Sequence, residues 1–306
     1  MHKAGGPGPE SETDAVVRSV APFELRRPAR QTEPFVFNSP HSGRIYSESF
    51  LGMSRLDRKS IRRSEDYYVE ELFSGVVQLG APLQAALFPR AWLDVNREPY
   101  ELDPRMFDGP LPPFANIGSM RVAGGLGTIP RLVAENMDIY RERLNVEEGL
   151  SRIDQVYKPY HASLRKIIAQ THVQFGKAIL IDCHSMPANV RVTGGHRRPD
   201  IIVGDRYGAS AAHDLSRAAV SFLSGLGYRV VRNKPYAGGF ITEHYGRPGR
   251  GLHALQIEIN RGLYINEDTL EKTGGFDVLK ADLTDFAARM MAHVRYDLSD
   301  ERLAAE

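Results

Sequence analysis

The amino-acid sequence predicts an α/β fold built on a mainly parallel mixed sheet with helices against both faces. Three observations carry that expectation. Short apolar runs recur along the chain, amphipathic helical patterns lie between several of them, and most of the runs are too continuously apolar for a sheet wetted on one side.

The expected strands are PFVFNS at 34–39, PLQAAL at 82–87, KAILIDC at 177–183, DIIVGD at 200–205, YRVVRN at 228–233 and ALQIEIN at 254–260. Between them, Val69, Leu72, Phe73 and Val76 recur at helical spacing. So do Leu215, Ala218, Ala219, Phe222, Leu223 and Leu226, which Gly227 stops. The longest helical pattern opens at Asn145, an N-cap with Glu148 three residues on, and runs through Leu150, Ile153, Tyr157, Leu164 and Ile168. Pro159 should kink or split it. A last helix is expected over about 274–296, on Leu279, Leu283, Phe286, Met290 and Val294. Residues 99–130 are crowded with Pro and Gly and show no period, the mark of a long functional loop.

A chain of 306 residues with 42% hydrophobic and 25% charged content is ordinary globular material. With no linker and no internal repeat, one domain is expected over 15–306, after a disordered lead-in over 1–14 that lacks the apolar stretch of a signal peptide. A net charge of +1 provides no field for nucleic acid, and no run reaches the ~20 apolar residues of a membrane span. The expected partner is therefore a small molecule. A single cysteine, Cys183, rules out an internal disulfide framework or an all-cysteine metal site and suits a reducing cytoplasm.

Three common catalytic signatures, GxSxG, HExxH and GxxxxGK, are missing, and GGLGTIP at 124–130 lacks the third glycine of a dinucleotide loop. Cys183 as a nucleophile would need a base beside it, yet His184 points to the opposite face of a strand. A buried structural thiol is the better reading.

What remains is a group of polar residues near strand ends, where ligands of open α/β sheets bind. His41 follows one strand in FVFNSPHSG, and His184 follows another in AILIDCHSMP. Alone, each reads as a turn residue beside Pro40 or Pro187; together, each followed by Ser, they read better as metal ligands. A catalytic zinc site commonly takes two histidines and a carboxylate, leaving a position for water. RRSEDYYVEELF offers Glu65 and Asp66, either of which could equally be a first-turn acid favoured by a helix dipole. Asp182 shares a face with His184 and could orient its ring. Glu258 stands in the middle of QIEIN, on one face with Gln256 and Asn260, where strands seldom place an acid.

Five blocks, FNSPHSGR, SEDYYVEELF, PRAWLDVNREP, LIDCHSMP and GGFITEHYGRPGRGLHALQIEINRGLY, spanning about 38–264, together resemble the N-formylglutamate amidohydrolase family. That family is related to zinc carboxypeptidases and aspartoacylase. The resemblance implies a three-layer αβα fold of the phosphorylase/hydrolase, zinc-carboxypeptidase-like kind, and hydrolysis of N-formyl-L-glutamate to formate and L-glutamate in histidine breakdown.

It also implies one Zn²⁺ per chain on His41, Asp66 and His184. The carboxypeptidase relatives hold their first two ligands in a compact HxxE, whereas here the acid lies well downstream of His41, so Glu65 stays the fallback for Asp66. Zinc would bring the pKa of a water to ~7. Glu258 would take its proton and pass it to the leaving amine. Arg90 would steady the oxyanion, and Arg97, aided by Asn96, would grip the α-carboxylate. For the second carboxylate of the substrate the candidates are Arg121, Arg191, Arg247, Arg250 and Arg261; the last three lie in the last block, and Arg250 and Arg261 are taken as substrate-binding. His161, His244 and His253 are possible lining residues or satisfied structural histidines. Two rivals remain: a related zinc hydrolase acting on another N-acyl amino acid or a peptide or cell-wall amide, and a binding protein without chemistry. The second has no need of a proton shuttle.

Overall fold

The strands β1 (Phe23–Arg26), β2 (Phe35–Ser39), β3 (Leu83–Ala86), β4 (Ala178–Met186), β5 (Ile201–Gly204), β6 (Val230–Arg232) and β7 (Leu252–Asn260) form one mixed sheet in the order β1-β3-β2-β4-β7-β5-β6. The computed structural model describes residues 21–190 and 198–303, with the side chains of the last helix through Arg295. The expected lead-in at 1–14, and Arg191, lie outside the described residues. The central strands β3, β2, β4 and β7 run parallel to one another. β1 is antiparallel to β3, and β5 is antiparallel to β7 but parallel to β6. All six expected strands are present. β1 escaped detection because FELR, half-buried at the sheet edge, carries only Phe23 and Leu25 as apolar residues.

Strand alternation splits the core in two. On one face Ile179, Ile181, Cys183, Leu255, Ile257 and Ile259 pack with α1 (Val69–Leu72), α4 (His213–Gly225) and α6 (Gly275–Leu303). On the other, Val36, Leu180 and Ala254 pack with α3 (Lys158–Phe175) and α5 (Phe240–Tyr245). Along this second face β2, β4 and β7 each turn from apolar to polar on the way to the carboxyl end: Val36 to Asn38, Leu180 to Asp182 and His184, Ala254 to Gln256 and Glu258. That switch creates the floor of the site.

Several local expectations are corrected. His184 does not follow its strand but lies within it, since β4 continues through Met186. The Val69–Val76 pattern is a four-residue α-helix followed by a 3₁₀ turn at Ser74–Val77, not one continuous helix. The long pattern is divided just ahead of Pro159. α2 (Val146–Arg152), capped by the Asn145 side chain accepting from the Glu147 N–H, passes through a π-helical stretch at Ile153–Tyr157 into α3, with Pro159 in the first turn of α3. In a first turn the N–H that proline lacks is dispensable. No described helix is long and apolar enough to cross a membrane.

Candidate active site

His41, just past β2, lies beside His184 of the neighbouring β4, with ring centroids 4.9 Å apart. Asp66 reaches the same place because its backbone N–H donates to the His41 carbonyl at 3.0 Å, tying the segment before α1 to the end of β2. Asp66 Oδ2 stands 2.9 Å from His184 Nδ1 and 3.5 Å from His41 Nδ1. These three buried residues offer one ligand atom each within 4.8 Å of one another and could hold a metal ion. Glu65 turns elsewhere, bound by Arg62 and by the Tyr46 hydroxyl. Of the two acids considered, Asp66 is the one in the cluster.

The other nitrogen of each imidazole has its own carboxylate. His41 Nε2 is 2.7 Å from Asp94 Oδ1, and His184 Nε2 is 2.9 Å from Asp182 Oδ2. With a cation bound, Nε2–H donating outward would leave both Nδ1 lone pairs free to ligate beside Asp66, the carboxylate–histidine arrangement that orients metal ligands. His41 Nδ1 is buried with no hydrogen-bond partner among the described residues. An orphaned buried acceptor is costly, and a cation bound by two imidazoles and a carboxylate would satisfy it. The donor set thus fits a metal of the zinc type.

Further bonds fix the carboxylates. Asn38 donates to Asp182 Oδ1 at 2.9 Å and accepts from the Tyr160 hydroxyl. Asp66 Oδ1 receives the Ser185 hydroxyl at 3.2 Å, and Arg261 NH2 lies 3.3 Å from it. Asp94 collects the Asn96 N–H, His41, Arg90 Nε at 3.0 Å and, at 3.4 Å, Arg97 NH2.

Glu258 sits opposite His184 in the parallel β4–β7 register. Gln256 Nε2 donates to its Oε1 at 2.8 Å, and the Gly239 N–H fixes that amide by donating to Gln256 Oε1 at 2.7 Å. Gly239 itself packs against Asn96, where an added Cβ would stand 2.4 Å from the amide nitrogen. A cavity of about 850 Å³ opens over these residues, at the carboxyl ends of β2, β4 and β7. Gly124, Leu126 and Pro130, from the loop expected at 99–130, form part of its wall.

The acids of this site are driven in opposite directions. Burial raises the Asp66 carboxyl, but His184 and His41 outweigh it and hold its pKa well below the usual carboxylate range. Asp94 is held low likewise, burial being outweighed by Arg90, Arg97 and His41. For Glu258, burial dominates and Asp66 adds to it, so that despite His184, Arg90 and Arg261 its pKa is pushed up to about 7. Such a separation suits one permanently ionised acid and one that exchanges a proton near neutrality.

The remaining expected residues fall into two groups. Arg90, Asn96, Arg97 and Arg261 line the cavity, although much of their bonding capacity is already engaged. Arg97 donates Nε to the Leu126 carbonyl and NH1 to the Asn96 carbonyl, and burial lowers its pKa to about 10. The side-chain carbonyl oxygen of Asn96 accepts from the Ile241 N–H, and its Nδ2 lies 3.2 Å from His184 Nε2, so Asn96 packs beside that histidine. Arg250 is the clear correction. It is exposed on the 3₁₀ turn before β7, beside His172, and the strand from Leu252 to Glu258, about 20 Å long, lies between it and the site. Adjacency to QIEIN in sequence placed it at the wrong end of the strand. Arg121 pairs with Glu101, and neither it nor Arg247 lines the cavity.

None of the three uncertain histidines lines the cavity. His161 is buried between the Val95 carbonyl and the Tyr245 hydroxyl, His244 stacks on Phe240, and His253 Nδ1 accepts from the Ala212 N–H. Cys183 lies in the opposite core, where burial raises its pKa well above the ordinary thiol value. Sequence reasoning missed the central part played by Asp94, the pairing of Gln256 with Glu258, and the cavity walls at Arg63 and Arg206. Polar alternation within QIEIN was the available signal for Gln256; the others carried none.

A model of the N-formylglutamate amidohydrolase family matches residues 33–265. Over 237 residues the chain is 28% identical to an N-formylglutamate deformylase of Pseudomonas putida, covering 76% of this chain and 82% of the relative. A deformylase of the same description from Pseudomonas aeruginosa is also 28% identical, with 76% and 83% covered. Among solved structures, an N-formylglutamate amidohydrolase from Ralstonia eutropha matches with a TM-score of 0.86 at 34% identity, over 91% of this chain and 100% of the other. A gene product of Agrobacterium tumefaciens shares the fold with a TM-score of 0.64 at 20% identity, over 91% and 98%.

Proposed function

Since this chain belongs to the N-formylglutamate amidohydrolase family, we propose that it hydrolyses the N-formyl amide of N-formyl-L-glutamate to formate and L-glutamate, the deformylation of histidine breakdown. The observation that carries the reading is the convergence of His41, Asp66 and His184 with Glu258 opposite His184, beneath an arginine-lined cavity. The name of the Pseudomonas putida relative supports the substrate. A three-layer, zinc-carboxypeptidase-like arrangement, one domain over 15–306 and a cytoplasmic setting belong to the same reading, supported by helices packed on each face of the mixed sheet and by the lone buried cysteine.

His41, Asp66 and His184 would hold one Zn²⁺, which when bound supplies an acidified water and polarises the formyl carbonyl. The chain's own residues do the rest. Glu258, with its pKa near neutrality, accepts the proton from the attacking water and delivers it to the amide nitrogen as the C–N bond breaks. Gln256 holds the carboxylate for both transfers. Arg90, tethered to Asp94 through Nε, presents the end of its guanidinium to the cavity, where it steadies the oxyanion. Arg97, with NH2 at the cavity, meets the α-carboxylate, and Asn96 packs beside His184. Arg261 holds Asp66.

The test is formate release by purified protein from a panel of N-formyl, N-acetyl and peptide substrates, beside metal analysis. About one zinc per chain and preference for N-formyl-L-glutamate are expected. Full activity in metal-free protein overturns the reading. Preference for a peptide or cell-wall amide moves the chain to another substrate.

A further inference from the structure

The cavity is lined by five arginines among the described residues, and four of them are committed. Arg90 and Arg97 answer to Asp94, Arg261 to Asp66, and Arg206 pairs with Glu243 at 2.7 Å. Arg63 alone has no carboxylate partner among the described residues. Among the described residues its side chain reaches only Met137 Sδ, at 3.6 Å. Its backbone is nevertheless held, because the Arg63 carbonyl accepts from Arg261 NH1 at 3.2 Å. Arg63 also stands on the 3₁₀ turn Ser60–Ser64, immediately ahead of Asp66. Beside it Ser64 lines the same wall, its hydroxyl shielded from solvent and without a hydrogen-bond partner.

We propose that Arg63, assisted by the Ser64 hydroxyl, is the anchor for the side-chain carboxylate of the substrate and so the residue that selects an acidic N-formyl amino acid over a neutral one. This rests on the deformylase reading. A planar guanidinium with free donors, on an anchored backbone at the mouth of the cavity, matches a carboxylate bidentately. Of the others, Arg90 and Arg97 are already assigned to the oxyanion and the α-carboxylate, and Arg206 and Arg261 are paired with Glu243 and Asp66. Neither residue appeared among the candidates from sequence, because RRSED reads as an unremarkable charged run.

The experiment uses the full chain, loaded with zinc, and compares kcat/KM for N-formyl-L-glutamate and N-formyl-L-glutamine in wild type, Arg63→Ala, Arg63→Lys and Arg206→Ala. For Arg63→Ala the glutamate-to-glutamine ratio should fall about ten- to hundred-fold, through KM for the acidic substrate, with the neutral substrate little affected. Arg63→Lys should keep part of the preference. Because Arg63 is exposed, the variants should retain the wild-type Tm. An unchanged ratio in Arg63→Ala overturns the anchor and leaves the deformylase reading standing, as does a collapse of the ratio in Arg206→Ala alone. A wild type that releases formate from neither substrate overturns both.

Discussion

Glu258 and His184 face one another across neighbouring parallel strands, each at the polar end of a face that begins apolar. One residue is expected to hold metal and the other to move a proton, and the sheet register sets them side by side. Glu258→Gln keeps the shape and removes the base. We expect kcat to fall by roughly 10²–10⁴ with KM and zinc content nearly unchanged. Formate release and metal analysis check this; a kcat close to wild type removes the proton-transfer role.

The pH profile follows from the same carboxylate. Burial pushes the Glu258 pKa up to about 7, and a base works only when ionised. Activity should therefore rise with pH through a limb near 7 and be lost below it. Gln256 donates to Glu258 and so favours the charged form. Gln256→Leu should move the acid limb to higher pH. A limb that stays in place, or moves down, would detach the profile from Glu258.

Asp94 is the common partner of His41, Arg90 and Arg97. Asp94→Asn preserves size while removing the charge that orients the His41 ring. Zinc affinity should drop about 10–100-fold, measured by competition with a chelator. Unaltered zinc affinity would mean that His41 is not a ligand held by this carboxylate.

His161 makes a prediction about stability that involves no metal. Burial lowers its pKa to about 4 despite the bond to Val95. Above the unfolded value near 6.5 neither state is protonated, and the group is neutral to stability. Between there and 4 the unfolded chain binds the proton that the folded one refuses, so stability falls with pH. The loss should total about 3 kcal/mol. Denaturant unfolding from pH 7 to 4 reads it, and His161→Gln should flatten that part of the slope. An identical slope in the variant would assign the acid loss elsewhere.

The sequence by itself determined six of the seven strands of the main sheet, the places of the longer helices and the sidedness of each of those strands. Cys183 lies in one core and His184 over the other for a local reason: successive strand residues point to opposite faces whatever the strand pairs with. The same period set Asp182 with His184 and Gln256 with Glu258. Only the tertiary structure decided between Asp66 and Glu65, sent Arg250 to the far end of β7, made Asp94 the shared partner, and brought Arg63 to the cavity. Each of those outcomes depends on strand order and register between segments far apart in the chain, as with the 118 residues separating Asp66 from His184. A side-chain period of two carries no information about which strand comes to lie alongside which.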